Sequence, residues 1–260
     1  MNYNICYKQQ LSHTMPCTGG DGMTLEELTR EVPELHNYLK YMPEELRHRY
    51  TIRVYPPGTI VHQKDFSLNY FGIIAKGEHR VINEFENGNI FMIEKNEPID
   101  FIGEVTILAG MPKTSVTIET ITESIILYLS RQDFEDWIAK DIHFLRLVAA
   151  KVALKLYRSS YNRGAKLFYP PQFLLLDYLI NYVESAFLKD PQAMHIVVKK
   201  TRNALYEEIG ISVKTLNRTI ARLKEEGLFA IQKGKITMSP KQLKCAKERI
   251  GYYRQMNVKQ

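Results

Sequence analysis

The stretch Thr201–Gly227, TRNALYEEIGISVKTLNRTIARLKEEG, predicts two short helices joined by a tight turn. Thr201 and Ser212 are residue types that cap helix N-termini, and Gly210 lies where the chain must turn sharply, a position that favours a residue tolerating positive φ. The second helix has apolar residues at steps of four and three, which places them on one face. The stretch therefore predicts a helix-turn-helix whose second helix has a buried apolar face and an exposed polar face.

The predicted polar face suits DNA recognition. An α-helix fits the major groove of DNA, where Lys or Arg donates hydrogen bonds to guanine and Asn pairs with adenine. Downstream, the apolar runs 229–231 and 236–238 flank Lys233-Gly234-Lys235, which predicts a hairpin with a basic tip, a wing. A merely solvated helix face is the alternative, because helix-turn-helix units also occur in proteins that do not bind DNA. The predicted DNA-binding residues are Thr201, Arg202, Ser212, Val213, Lys214, Asn217, Arg218, Lys233 and Lys235.

Positive charge is concentrated in the C-terminal part of the chain. Residues 161–260 contain 18 Lys and Arg against 8 Asp and Glu, a net charge of +10, whereas the whole chain carries +6. The preceding residues are therefore net acidic, at −4. This distribution favours a polyanion such as double-stranded DNA as the partner of the C-terminal part only.

The composition is that of a globular protein of two domains, with 45% apolar and 25% charged residues in a chain of 260. Cys6, Cys17 and Cys245 are few and widely spaced, which favours a reducing compartment over a disulfide framework. The chain has no apolar leader and no apolar run long enough to cross a membrane. It also lacks the common phosphate-loop, serine-hydrolase and zinc-site motifs. We therefore expect a cytoplasmic protein that is not an enzyme and has no metal or iron–sulfur site.

Residues 50–130 have the pattern of β-strands. Short runs rich in β-branched and aromatic residues alternate with turn signals such as Lys76-Gly77, and Asn87-Gly88 is a strong hairpin signal. Upstream, Thr24 and Glu27 match a capping box at the start of a short helix. With helices on both sides, the strands predict an α+β fold built on an antiparallel jelly roll.

One segment within the strand region, Asp100–Ser115, predicts a single helical turn that begins after Gly103. A helix N-terminus offers unpaired N–H donors and the positive end of a dipole, which suits an anion such as a phosphate. The alternative is a turn that only connects two strands. The predicted effector-binding residues of this segment, which we call the cassette, are Gly103, Glu104, Lys113, Thr114 and Ser115.

After Ser130 the pattern is helical, and apolar residues recur at alternating steps of three and four. Such a seam packs either on the protein's own barrel or on a second copy, and we favour a homodimer. Asn162, Gly164 and Pro170 predict the end of the helix and a hinge within 161–171. The predicted domains are an arm at 1–23, a sensor domain at 24–130, a dimerisation helix at 131–164 and a DNA-binding domain at 165–260. The predicted dimer seam, named the seam below, comprises Ile142, Leu145, Ala149, Val152 and Leu156.

Three motifs resemble those of the Crp/Fnr family of bacterial transcription regulators: Tyr55–Gly58 with Phe71–Gly77, the cassette from Gly103 to Ser115, and the segment Gly210–Leu228. The resemblance covers about residues 45–238. It implies a cyclic-nucleotide-binding-type jelly roll, a dimerising helix and a winged helix-turn-helix. It also implies a small-molecule effector, a near-palindromic promoter site and contact with RNA polymerase. A regulatory module of a kinase or channel would share only the barrel.

The departures from the family pattern bear on the effector and on the DNA site. Members that bind cyclic AMP have Arg and Ser where this chain has Lys113 and Thr114, and Lys lacks the bidentate fork of Arg. We therefore expect a small-molecule effector other than cyclic AMP. Cyclic AMP at Gly103, Glu104 and Lys113, a haem bound by one of the seven His, and redox sensing by Cys6 and Cys17 remain alternatives, whereas an iron–sulfur cluster needs four thiolates. Lys214 replaces the family's usual acidic residue and Arg218 occupies its guanine-reading position, so the preferred half-site should differ from the usual one.

Overall fold

The computed structural model describes residues 22–86 and 89–257, with the side chains of 161–167 and 254–257 left aside. These residues form two compact units that divide between Leu156 and Tyr157. The predicted arm, including Cys6 and Cys17, lies almost entirely outside the described residues.

The first unit opens with short helical pieces. The capping box is confirmed, because Thr24 Oγ1 accepts from Glu27 N at 3.2 Å and Glu27 Oε2 accepts from Thr24 N at 2.8 Å. Pro33 ends the first helix, as a residue without an N–H donor does. The helices are α1 (Leu25–Glu31) and α2 (His36–Leu39), and 3₁₀ turns cover Pro33–Leu35 and Glu44–His48.

The barrel of the first unit consists of two antiparallel sheets, which confirms the predicted jelly roll. One sheet has the order β1-β8-β3-β6 and the other β2-β7-β4-β5. The hairpin around 87–88 is confirmed by the antiparallel pairing of β4 with β5, although those two turn residues lie outside the described part. The strands are β1 (Thr51–Tyr55), β2 (Ile60–His62), β3 (Tyr70–Lys76), β4 (His79–Glu84), β5 (Ile90–Asn96), β6 (Asp100–Ile102), β7 (Thr117–Thr120) and β8 (Ser124–Ser130).

Alternation along β3 creates two apolar layers. Phe71 faces the helices, where it stacks on Phe134 at 3.9 Å between ring centroids. Ile74 belongs instead to the layer between the two sheets. In the helical layer, Trp137 stacks on Phe144 at 3.7 Å, and both are fully buried. The first unit thus has a core between helices and barrel and a second core inside the barrel.

Three helices follow the strand region or interrupt it: α3 (Glu104–Leu108), α4 (Arg131–Lys140) and α5 (Ile142–Phe168). The predicted continuous helix after Ser130 is divided at Asp141, whose Oδ1 accepts from the backbone N of His143 at 2.9 Å and caps α5. Helix α5 continues past Asn162 and Gly164 and ends at Phe168, within the predicted range 161–171. A single glycine costs a helix only about 1 kcal/mol relative to alanine, whereas Pro170 removes a donor and stops it.

The second unit is a winged helix-turn-helix with an added helix at each end. Strand β9 pairs antiparallel with β11, and β11 pairs with β10. Phe173, Leu176, Ile180 and Val183 form the buried apolar face of its first helix. Its elements are α6 (Pro171–Lys189), β9 (Ile196–Val197), α7 (Arg202–Ile209), α8 (Val213–Glu225), β10 (Ala230–Gln232), β11 (Lys235–Met238) and α9 (Pro240–Asn257).

Candidate DNA-binding surface and effector cassette

The helix-turn-helix has the local geometry that its sequence predicts. Thr201 Oγ1 accepts from Ala204 N at 3.1 Å and Ser212 Oγ accepts from Thr215 N at 3.2 Å, so both residues cap their helices. Gly210 has φ 76°, the left-handed conformation that only glycine adopts at little cost. The hydroxyls of Thr201 and Ser212 are therefore first of all structural, and they fix the start of α7 and α8.

Helix α8 presents a free polar face. Leu216, Ile220 and Leu223 are buried together with Thr219. On the other side, Lys214, Asn217 and Arg218 are exposed and form no ion pair or hydrogen bond with another described residue. Val213, also predicted to contact DNA, is exposed beside them. The donors required for reading bases thus have no partner within the described chain.

The wing completes this basic surface. Lys233 and Gly234 turn the hairpin with φ of 47° and 76°, and Lys233 is exposed. The ammonium group of Lys235, which was predicted to contact DNA, already has a partner within the protein, because its Nζ donates to Lys200 O at 3.2 Å. A cavity of about 240 Å³ nevertheless brings wing and helix-turn-helix residues together. It is lined by Val198, Lys200, Thr201, Arg202, Leu205, Gly234, Lys235 and Ile236.

A polar cluster that the sequence does not predict joins three segments of this unit. Glu208 on α7 accepts from Lys200 Nζ and from the Tyr178 hydroxyl of α6, each at 2.5 Å. Burial, followed by the hydrogen bond to Glu208, raises the pKa of Tyr178, which therefore remains a donor. The cluster ties α6, α7 and the segment before α7 together. A spacing of thirty residues between Tyr178 and Glu208 gives no periodic signal from which to predict it.

The structure separates the residues of the predicted cassette. Gly103 has φ 91°, a left-handed conformation that residues with a Cβ atom rarely adopt, so the backbone accounts for the glycine without a ligand. Lys113 and Ser115 are exposed. Thr114 is buried, and its hydroxyl bonds Val116 N and O at 3.2 and 3.0 Å. Glu104 is buried and its Oε1 accepts from Lys155 Nζ of α5 at 2.8 Å.

The space between the two sheets is filled by the protein's own side chains. His62 Nδ1 lies 2.7 Å from the Tyr70 hydroxyl, which also donates to Val61 O at 3.2 Å. Tyr128 packs edge-on against Tyr70 and Tyr55, with ring centroids 5.2 and 6.4 Å apart. Burial lowers the pKa of His62 to about 4, so its ring is neutral near pH 7. With Glu104 paired and Lys113 outside, these residues do not fit a cyclic nucleotide.

The seam on α5 is distinct from the stripe that packs on the barrel. Phe144 and Val148 are buried against the barrel, and neither belongs to the seam. Ile142 and Leu156, at its two ends, are 68% and 63% exposed. Leu145 and Val152 are half-buried and Ala149 is exposed. The seam is therefore largely exposed, which favours a second copy over the protein's own barrel as its partner.

Known proteins share both parts of this architecture, a jelly-roll sensor domain and a winged helix-turn-helix. The family model of the cyclic nucleotide-binding domain matches residues 52–141. The chain as a whole has the fold of the Crp/Fnr transcriptional regulators, so the predicted resemblance is confirmed at the level of the fold.

Two solved structures illustrate the likeness. The c-di-GMP-responsive global regulator CLP of Xanthomonas campestris is 16% identical, with a TM-score of 0.63 over 74% of this chain and 94% of that one. A CooA mutant from Carboxydothermus hydrogenoformans is 17% identical, with a TM-score of 0.63 over 84% of this chain and 95% of that one.

A third similar structure is a putative transcriptional regulator of the crp/fnr family from Eubacterium rectale. It is 14% identical, with a TM-score of 0.62 over 76% of this chain and 90% of that one. No curated protein sequence matches this chain significantly. Within the described residues, every helix is too short or too polar to span a membrane.

Proposed function

We propose that this protein is a cytoplasmic, sequence-specific DNA-binding transcriptional regulator that acts as a homodimer. The observation that carries the proposal is the exposed face of α8, on which Lys214, Asn217 and Arg218 are presented without partners by a correctly capped helix-turn-helix. The net charge of +10 over residues 161–260 supports a nucleic-acid partner.

The contacts divide into base readout and backbone positioning. Lys214 and Arg218 donate to guanine, and Asn217 pairs with adenine, because these are the complementary edges in the major groove. Arg202 at the start of α7 and Lys233 at the tip of the wing contact phosphates, which fix the register of the protein on DNA. RNA polymerase is the further partner that the family resemblance implies.

Selection of bound sequences from a random duplex pool, with the full chain, tests the proposal. Two copies related by a two-fold axis read two half-sites on one face of the duplex, so we expect an inverted repeat with half-site centres about 10–11 bp apart, or a multiple of one turn. Each half-site should contain guanines facing Lys214 and Arg218. A pool that shows no symmetric motif after selection would contradict the homodimeric mode, and no enrichment at all would contradict DNA as the target.

The effector, in this proposal, is a small molecule other than a cyclic nucleotide. Two observations support this: Glu104 is paired with Lys155, and apolar side chains pack between the two sheets in the described part of the barrel. The same packing fits a regulator that needs no ligand in the barrel.

Cyclic AMP and cyclic GMP are therefore expected to leave the melting temperature unchanged. A ligand present at about 1 mM with a Kd of about 10 µM would stabilise the folded state by ~2.7 kcal/mol, which a thermal melt detects easily. Trp137 is the single tryptophan and is buried in the first unit, so its fluorescence reports on the unit that would bind the ligand. A clear upward shift with either nucleotide would restore the cyclic-nucleotide alternative.

A further inference from the structure

Three buried titratable side chains meet a half-buried lysine where α5 packs on the barrel. His79, Asp100 and Glu104 are the first residues of β4, β6 and α3, and they are 1%, 2% and 3% exposed. The fourth is Lys155 of α5, whose side chain is 16% exposed. The cluster lies within the first unit and plays no part in the proposed DNA contacts.

Lys155 is shared between two carboxylates. Its Nζ lies 2.8 Å from Glu104 Oε1 and 3.0 Å from Asp100 Oδ1. His79 Nε2 lies 3.1 Å from Asp100 Oδ2. Only the Lys155–Glu104 contact is a well-directed hydrogen bond, because neither oxygen of Asp100 and neither ring nitrogen of His79 has such a partner among the described residues. The contacts of Asp100 with Lys155 and His79 are close but less well directed.

The charges in the cluster do not balance when both carboxylates are ionised and His79 is neutral. Lys155 then offsets one of two negative charges, and an uncompensated buried charge is costly. Two further groups lie nearby. Tyr38 of α2 faces Asp100 and is neutral, because burial and that carboxylate raise its pKa. Lys151, one turn before Lys155, is engaged with Ile99 O at 2.6 Å.

We propose that these four groups form one proton-binding site, with Glu104 as the carrier, and that loss of the proton destabilises the first unit. Asp100 is the carboxylate that stays ionised, since it contacts both Lys155 and His79. Among the described residues, Lys155 is the one charged group paired with Glu104. A rise in pH therefore introduces a second negative charge next to Asp100 in a buried site, and the protein carries a pH-sensitive element in its sensor unit.

The directions of the pKa shifts agree with this assignment. Burial raises the pKa of Glu104, Lys155 opposes the rise, Asp100 adds to it, and the net pKa lies above the ordinary value. Burial alone would raise the pKa of Asp100, but His79 and Lys155 outweigh it and lower that pKa. Between the ordinary pKa of a glutamate and the raised value, the folded protein holds a proton that the unfolded chain has lost. Stability is therefore lost as pH rises through this window.

Urea unfolding of the full chain from pH 5 to 9, followed by Trp137 fluorescence, tests the proposal. Trp137 stacks on Phe144 of α5, so the signal reports on the first unit. In Glu104→Gln the amide oxygen still accepts from Lys155, and the excess charge is gone. We expect the ratio of the unfolding constants, wild type over E104Q, to rise by up to about tenfold per pH unit and then to level off above the apparent pKa of the site. His62, whose pKa is about 4 in the folded protein and near the ordinary histidine value in the unfolded chain, contributes equally to both proteins and cancels.

Glu119→Gln is the matched control, because it removes a carboxylate that pairs with Arg80 at 3.1 Å outside the cluster. The ratio of the unfolding constants, wild type over E119Q, should not change between pH 5 and 9. A pH-independent ratio for E104Q, or an E104Q protein that is less stable than the wild type at every pH, is the behaviour of a simple salt bridge and would overturn the proposal.

A second measurement does not depend on the folding of E104Q. In the wild-type protein labelled with ¹³C at the glutamate carboxyl groups, one resonance should titrate well above the ordinary glutamate pKa of about 4.3. If every glutamate resonance titrates near that value, Glu104 does not carry the proton and the proposal is wrong.

Discussion

Replacing Arg218 with alanine is expected to weaken binding to the selected DNA site by about 5- to 150-fold, which corresponds to ~1–3 kcal/mol. Arg218 is exposed in the first half of α8, on the face opposite Leu216 and Ile220, and has no partner among the described residues. Its guanidinium can therefore bond guanine O6 and N7 without first breaking an intramolecular contact. Binding to random DNA should change little, because phosphate contacts supply most non-specific affinity. Titrations of a labelled selected duplex and a scrambled one, at the same salt concentration, measure both effects.

Two matched variants make this result specific. Arg222 lies one turn further along α8 and pairs with Glu226 at 3.2 Å, so Arg222→Ala should leave the affinity for both duplexes almost unchanged. Lys233 lies at the tip of the wing, and Lys233→Ala should weaken both duplexes equally, as expected of a phosphate contact. If Arg218→Ala also weakens both duplexes equally, Arg218 holds the backbone and does not read a base.

Local rules predicted much of the DNA-binding unit. Thr201 and Ser212 cap their helices because each side-chain oxygen accepts from a backbone N–H that has no partner within the helix. A Thr or Ser just before a helical pattern is visible in the sequence. Gly210 adopts a conformation that penalises residues with a Cβ atom, which makes a turn glycine recognisable. The face of α8 that is buried follows from the period of the helix alone.

Long-range pairing accounts for what the sequence did not reveal. Lys155 and Glu104 are 51 residues apart. The apolar pattern of α5, which contains Lys155, predicts the seam and gives no sign of this ion pair. Glu208 bonds Tyr178 of α6 and Lys200, which precedes α7. Neither separation along the chain belongs to a repeating pattern of the sequence. Glu104 was predicted as an effector ligand because a helix N-terminus suits an anion. Its burial against α5 depends on how the barrel and the helix pack, which no local pattern encodes.

The exposed seam of α5 is expected to hold the homodimer together. Replacing Leu156 with glutamate is expected to raise the dissociation constant of the homodimer by on the order of 100-fold or more, because two-fold symmetry places two unpaired carboxylates in one apolar seam. The folded subunit should be unaffected, since Leu156 is exposed and does not belong to the buried stripe of Phe144 and Val148. Sedimentation equilibrium measures the dimer, and Trp137 fluorescence checks the fold.

Leu154→Glu is the control that decides whether the effect belongs to the seam. Leu154 is also an exposed leucine of α5, but two residues along a helix rotate a side chain by about 200°, so it lies on the opposite flank. It introduces the same charge into the same helix at a comparable distance from its ends. A dimer that survives L154E and dissociates with L156E places the two-fold axis along the seam. The reverse result would move the contact to the flank of Leu147 and Leu154, and two unaffected dimers would show that α5 does not mediate dimerisation.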